Sequence, residues 1–170
     1  ETDLDVLALT RGERGRDALA HIARALPVIS GNPHPLEFSL IDEAVLADWR
    51  HPCPHLLHFG EDHRARFEAG TFLPQSPTDE DLTMHLVVAR ARGHDLLGTY
   101  PCRNLPEIPR CDYVTAVLSD FDWAAAQPGD LAAYQLSNAC RTLAYLRDGV
   151  VLSKSEGRRW CAQRGVDRTG

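Results

Sequence analysis

The sequence predicts an α+β protein of two domains, an α/β layer over residues 1–54 and an all-helical part over 55–170. Three observations carry this. The first fifty residues run through strand, helix and strand periodicities, which is the pattern of an α/β layer. Pro52 and Pro54 then interrupt the chain. Beyond them the apolar runs have helical spacing.

Each element has its own signal. Residues 2–10 alternate, with Leu4 and Val6 on one side and Asp3 and Asp5 on the other. "RGRDALAHIARAL" places apolar residues at 18, 19, 22, 25 and 26, a helical face. "HPLEFSLID" is a second strand, with Leu36, Phe38 and Leu40 opposite Glu37 and Ser39. "GEDHRARFEAG" reads as a short helix stopped by Gly70. "SPTDEDLTMHLVVARARGHDLLG" reads as a longer helix, with an acidic first turn and an end near Gly98. "TYPCRNLPEIP" is a proline-rich loop. "CDYVTAVLSDFDW" is helical, with Val114, Val117, Leu118 and Phe121 as the expected apolar stripe. "GDLAAYQLSNACRTLAYLRDG" is the clearest helix, capped by Asp130 and closed by Gly149. A last helix begins through a capping box, Ser153 to Glu156.

Bulk properties narrow the function. The chain has 170 residues, 44% of them apolar and 25% charged, an ordinary globular balance. Its net charge of −6 disfavours a nucleic-acid surface, which needs a basic footprint. No run of about 18 apolar residues exists, so no membrane partner is expected. The acidic opening does not read as a secretory leader. Five cysteines without regular spacing suggest reduced thiols and a cytoplasmic location.

The opening aspartates raise the functional question. On a strand, Asp3 and Asp5 point the same way, with Cα atoms about 6.5–7 Å apart. Carboxylates so placed suit Mg²⁺, a hard cation that keeps water and phosphate oxygens as further ligands. Glu37 interrupts an apolar run on the second strand, where an unpaired carboxylate is costly. Asp3, Asp5 and Glu37 together suggest metal-dependent phosphoryl or nucleotidyl transfer. An exposed polar strand face accounts for the first pair equally simply.

Other candidates carry competing structural readings. Arg141 shares a helix face with Tyr134, Asn138 and Tyr145 and can fork onto phosphate, or belong to a solvated face. Lys154 stands in a first helical turn, where the macrodipole disfavours a cation unless a phosphate is near. Asp81 is what a first turn favours in any case, and Asp130 is a good N-cap. "HPCPHLLH" offers His51, Cys53, His55 and His58 to zinc, but no second ligand pair follows at finger-like spacing. Trp49, Trp123 and Trp160 read as core or edge residues.

The blocks "TDLDVLAL", "PLEFSLI", "LLHFGEDHRARFEAGTFLP", "TDEDL" and "ACRTLAYLRDGVVLSKSEGRRWCAQR", in this order and spacing, resemble the aminoglycoside nucleotidyltransferases. The streptomycin/spectinomycin adenylyltransferase branch is the most similar. The resemblance implies that residues 1–54 are part of a nucleotidyltransferase domain and that a helical substrate- and ATP-binding domain follows. It implies adenylyl transfer from ATP to an aminoglycoside hydroxyl, with Mg²⁺ on Asp3 and Asp5 and Glu37 as general base. Thr2, Asp81, Arg141 and Lys154 match nucleotide-contacting positions, and Asp130 matches an acid that binds the cationic drug. The substrate is expected between the two domains.

Departures from the family pattern shape the expectation. The family's Gly-Ser phosphate turn lies upstream of the aspartates, ahead of Glu1. Streptomycin-binding members carry tryptophan where this chain reads Asp62, and a second one near Asp120, with Trp123 close by. A compact or amine-rich acceptor is therefore expected, held partly by Asp62 and Asp130, with Trp123 as the remaining aromatic. Two alternatives stay open: a metal-dependent glycosyltransferase, and a catalytically silent nucleotidyltransferase-like binding module.

Overall fold

The computed structural model describes residues 3–12, 14–73, 78–98, 100–127 and 131–165. Thr2 and Asp130 lie outside the described residues. By its own packing the chain forms two compact units, Glu1–His85 and Leu86–Gly170. The domain division expected between residues 54 and 55 falls inside the first of them.

The first unit is built on a three-stranded sheet. β1 (Leu4–Thr10), α1 (Arg16–Ile29) and β2 (Leu36–Asp42) form the expected strand–helix–strand, and β1 and β2 pair in parallel. β1 starts at Leu4, whose N–H donates to Pro35 O at 2.8 Å, so exposed Asp3 lies just before the strand. α1 buries Leu19, Ala20, Ala23 and Leu26, while Ala18 and Ala25 of the expected face are exposed. One sheet face supplies Val6, Ala8, Leu36, Phe38 and Leu40 to the core under α1. Alternation put these residues on one side, and burial of that side fixes the sheet against the helix.

Two short strands depart from the all-helical reading of 55–170. α2 (Glu43–Ala47) is capped by Asp42, and β3 (Cys53–Pro54) follows. β4 (Leu57–Phe59) pairs antiparallel with β2, and β5 (Thr78–Asp79) with β3. Leu57 and Phe59 are fully buried, so three residues suffice to close the edge of β2. A 3₁₀ turn, Glu61–His63, leads into α3 (Arg64–Glu68), after which Gly70 adopts φ +74°. Arg64 ties this segment to α1 by donating to Pro27 O at 2.6 Å, and within the segment it donates to Glu61 Oε2 at 2.7 Å. That pairing, with Ser30, holds the Glu61 carboxyl down at about 2.

α4 (Asp81–Arg92) begins in the first unit and ends in the second. Asp79 accepts from the Asp81 N–H at 2.9 Å and supplies the capping interaction. The helix stops at Arg92, six residues before the expected Gly98. Its final carbonyls close onto Gly93, whose N–H donates to Ala89 O at 2.8 Å. A Cβ at Gly93 would fall 2.8 Å from Cys102 Sγ.

The second unit is helical. α5 (Arg110–Ala126) buries Tyr113, Ala116, Val117, Asp120 and Ala124. Leu118 is 58% exposed, so the buried stripe is rotated from the one expected. α6 (Ala132–Asp148) starts from Leu131 as N-cap and ends on Gly149, φ +69°. α7 (Lys154–Gln163) opens with the expected capping box: Ser153 Oγ accepts from Glu156 N–H at 3.2 Å, and Glu156 Oε2 accepts from Ser153 N–H at 2.8 Å. α6 and α7 pack so closely that a Cβ on Gly157 would fall 2.8 Å from Arg141 N. Trp160 is buried there, donating to Asp148 at 2.8 Å. Among the described residues no helix is long and apolar enough to cross a membrane.

Candidate active site

The register of β1 against β2 builds the first cluster. Asp5 lies opposite Glu37 and Leu7 opposite Ser39. Residues opposed in a parallel pair project to one face, on strands about 4.8 Å apart. Asp5 and Glu37 are therefore neighbours on the face turned away from the α1 core. β4 adds His58, whose register partner is Ser39. β5 and the start of α4 bring Asp79, Asp81 and His85.

Glu37 is the centre of this cluster. Its Oε1 lies 3.5 Å from His85 Nε2, and both side chains are a little over one quarter exposed. Burial, the main cause, raises the Glu37 carboxyl above the usual range; His85 opposes this, and Asp5, Asp81 and Asp79 add to it. A carboxyl so shifted is closer to the range in which a general base works. His58 Nδ1 lies 3.0 Å from Ser39 Oγ and 3.6 Å from Asp79 Oδ2. Ser39, His58 and Asp79 do not form a nucleophilic triad. Serine and aspartate address the same ring nitrogen, and Ser39 is buried.

The donor chemistry here is oxygen-rich and suits a hard divalent cation. Among the described residues no three His, Cys, Asp or Glu side chains are gathered as a ready-made metal site. Asp5 and Glu37 are the preassembled part, and Asp3 stands at the strand's entrance. The zinc reading of His51, Cys53, His55 and His58 finds no support. His51 Nδ1 is 2.8 Å from Thr83 Oγ1, and burial pushes the Cys53 thiol up to about 12, away from thiolate chemistry. Burial likewise lowers His55 and His58, and the two rings pack edge to face at 5.9 Å. Asp62 is well exposed, with Oδ1 3.3 Å from His63 Nδ1.

A second cluster lies within the second unit. Buried Asp120 accepts from Tyr134 Oη at 2.7 Å and from Asn138 Nδ2 at 2.5 Å. Trp123 meets the Tyr134 ring edge-on at 6.3 Å and is 55% exposed, so it is an available aromatic surface. Lys154 Nζ lies 4.4 Å from the Tyr134 centroid. This cation–π contact, worth about 0.5–1 kcal/mol at an exposed site, offsets the unfavourable dipole of the α7 N-terminus. Arg141 stands on the same helix as Tyr134 and Asn138; Asn138 is buried, while Arg141 and Tyr134 are half-buried. The Arg141 charge acts on Tyr113.

Sequence reading thus found Asp5, Glu37 and Asp81 of the first cluster and passed over Asp79 and His85. A signal for His85 existed: it is a polar residue inside the run "LTMHLVV", where an imidazole needs a partner. Asp81 stands four residues earlier on the same helix face.

Comparison with known proteins adds an independent line. Residues 104–165 match the model of the aminoglycoside adenylyltransferase C-terminal domain. The chain is 24% identical over 120 residues to a spectinomycin 9-adenylyltransferase of Enterococcus faecalis, covering 70% of this chain and 47% of that protein. It is 29% identical over 114 residues to one of Campylobacter jejuni, covering 64% and 44%. The chain thus spans about half the length of these curated relatives. A crystal structure of the spectinomycin adenyltransferase AAD(9) with ATP and spectinomycin superposes with a TM-score of 0.78 at 20% identity, over 95% of this chain and 68% of that one. That likeness establishes a shared fold.

Proposed function

We propose that the chain, whose residues 104–165 match the aminoglycoside adenylyltransferase C-terminal domain, transfers an adenylyl group from ATP to a hydroxyl of an aminoglycoside-type antibiotic. The observation that carries the reading is the pairing of Asp5 with Glu37 in register on one strand face.

Glu37 takes the proton of the acceptor hydroxyl. The oxygen then forms a bond to the α-phosphorus of ATP, and pyrophosphate leaves with the electron pair of the broken P–O bond. A carboxyl lifted by burial is suited to accept that proton. Asp3 and Asp5, with Glu37, would hold Mg²⁺, which when bound neutralises charge on the triphosphate. Arg141 and Lys154 supply cationic groups for the nucleotide, with Asp81 and Thr2 as further contacts. Asp62, Trp123 and Asp130 are the acceptor-binding candidates, acidic and aromatic groups that suit a compact cationic drug.

Incubation with ATP, Mg²⁺ and a panel of aminoglycosides, read by product mass, tests the reading. A mass gain of one adenylyl group on the acceptor is the expected result. Absence of any adduct across the panel would favour the silent binding module.

A further inference from the structure

We propose that His85 is a positioning residue for Glu37, holding its carboxylate in place for the acceptor hydroxyl. The inference rests on the transferase reading above and deepens it. It comes from the charges around one side chain. Asp5 on β1, Asp79 on β5 and Asp81 on α4 all repel the Glu37 carboxylate. Among the described residues acting on it, His85 is the group that attracts, with Nε2 3.5 Å from Oε1. That separation is slightly beyond the usual hydrogen-bond length, the looseness found around catalytic groups before substrate binds.

Placement supports the role. His85 sits on α4, whose start is fixed by the Asp79 cap, so the imidazole is carried on a defined element. Both partners are partly open to solvent, so substrate can reach the free side of Glu37. His85 is not itself assigned proton transfer. It acts through Glu37, and loss of a few tenths of an ångström to 1 Å of alignment can cost up to about 10²-fold in rate.

Steady-state kinetics with ATP, Mg²⁺ and spectinomycin test this on four proteins: unsubstituted, His85→Leu, Glu37→Gln and the double variant. His85→Leu should lower kcat by about 10–10²-fold and leave both KM values nearly unmoved. His85→Gln, which keeps an amide donor at similar reach, should restore most of the rate. The double variant should be no slower than Glu37→Gln alone, because His85 has nothing left to position. Thermal unfolding gives a readout free of turnover: any stability lost in His85→Leu should vanish in the Glu37→Gln background. If His85→Leu does not fold, His85→Asn replaces it, and its shorter reach should leave it slower than His85→Gln. Wild-type kcat in His85→Leu, or equal rates for Gln and Asn, overturns the inference. So does a double variant slowed by the two factors multiplied, which is what an independent structural role gives. No turnover in the unsubstituted protein overturns the transferase reading and this role with it.

Discussion

Asp5 and Glu37 face each other in register across two parallel strands, on the side of the sheet away from the core. Two carboxylates so placed repel, and burial of Glu37 compounds the cost. This arrangement is unfavourable for folding alone and fits a site that binds positive charge.

The first prediction separates stability from activity at Glu37. Its carboxyl is raised above the ordinary range in the fold, so the folded state holds the proton more tightly than the unfolded chain. Its contribution favours folding below the ordinary glutamate range and is lost as pH rises through the raised value. Glu37→Gln should therefore melt no lower than the unsubstituted protein at pH 7, with its advantage shrinking on acidification. Its turnover should fall by about 10²–10⁴-fold. Melting curves over a pH series, beside turnover, check both; a pH-independent loss of stability would make Glu37 structural.

Asp5→Asn and Asp3→Asn should each remove Mg²⁺-dependent turnover while circular dichroism stays unchanged. Both residues are exposed, so amides are tolerated there. Full activity of either variant across a Mg²⁺ titration would remove that residue from the cation site.

Gly157→Ala should destabilise the protein although alanine is the better helix former by about 1 kcal/mol. The added methyl meets Arg141 N at 2.8 Å and its Cα at 2.9 Å, backbone that cannot yield without parting α6 from α7. Overpacking of this kind costs about 1–3 kcal/mol. Denaturant unfolding measures it; a stabilised variant would mean the helices separate freely.

Tyr134→Phe keeps the ring under Lys154 but leaves Asp120 with one of its two donors. A buried acceptor stripped of a partner costs about 1–3 kcal/mol. ATP affinity by calorimetry should change little in Tyr134→Phe and fall clearly in Lys154→Met. Equal affinity in both would free Lys154 from the nucleotide.

Streptomycin should be a poorer acceptor than spectinomycin, because exposed Asp62 offers charge rather than a stacking surface. Acceptor binding should weaken with salt, since exposed charges are screened over about 8 Å at physiological ionic strength. Tight, salt-insensitive streptomycin binding that survives Asp62→Ala would transfer the acceptor platform to Trp123.

Periodicity determined the strand–helix–strand opening and the split of Asp5 and Glu37 from the apolar face, and cap motifs determined the capping box at Ser153 and the stop at Gly149. These are local matters, set by side-chain direction along one element and by the backbone each residue allows. The tertiary structure decided what lies opposite what. Alternation places Glu37 on a face, but only the register of β1 sets it beside Asp5, and only the return of the chain through β5 and α4 brings Asp79 and His85. The same holds for α5, where the expected apolar stripe included Leu118, yet Leu118 is exposed and Asp120 is buried. The polar one is inside because Tyr134 and Asn138 satisfy its carboxylate, and a partner supplied from another helix leaves no trace in the periodicity of its own.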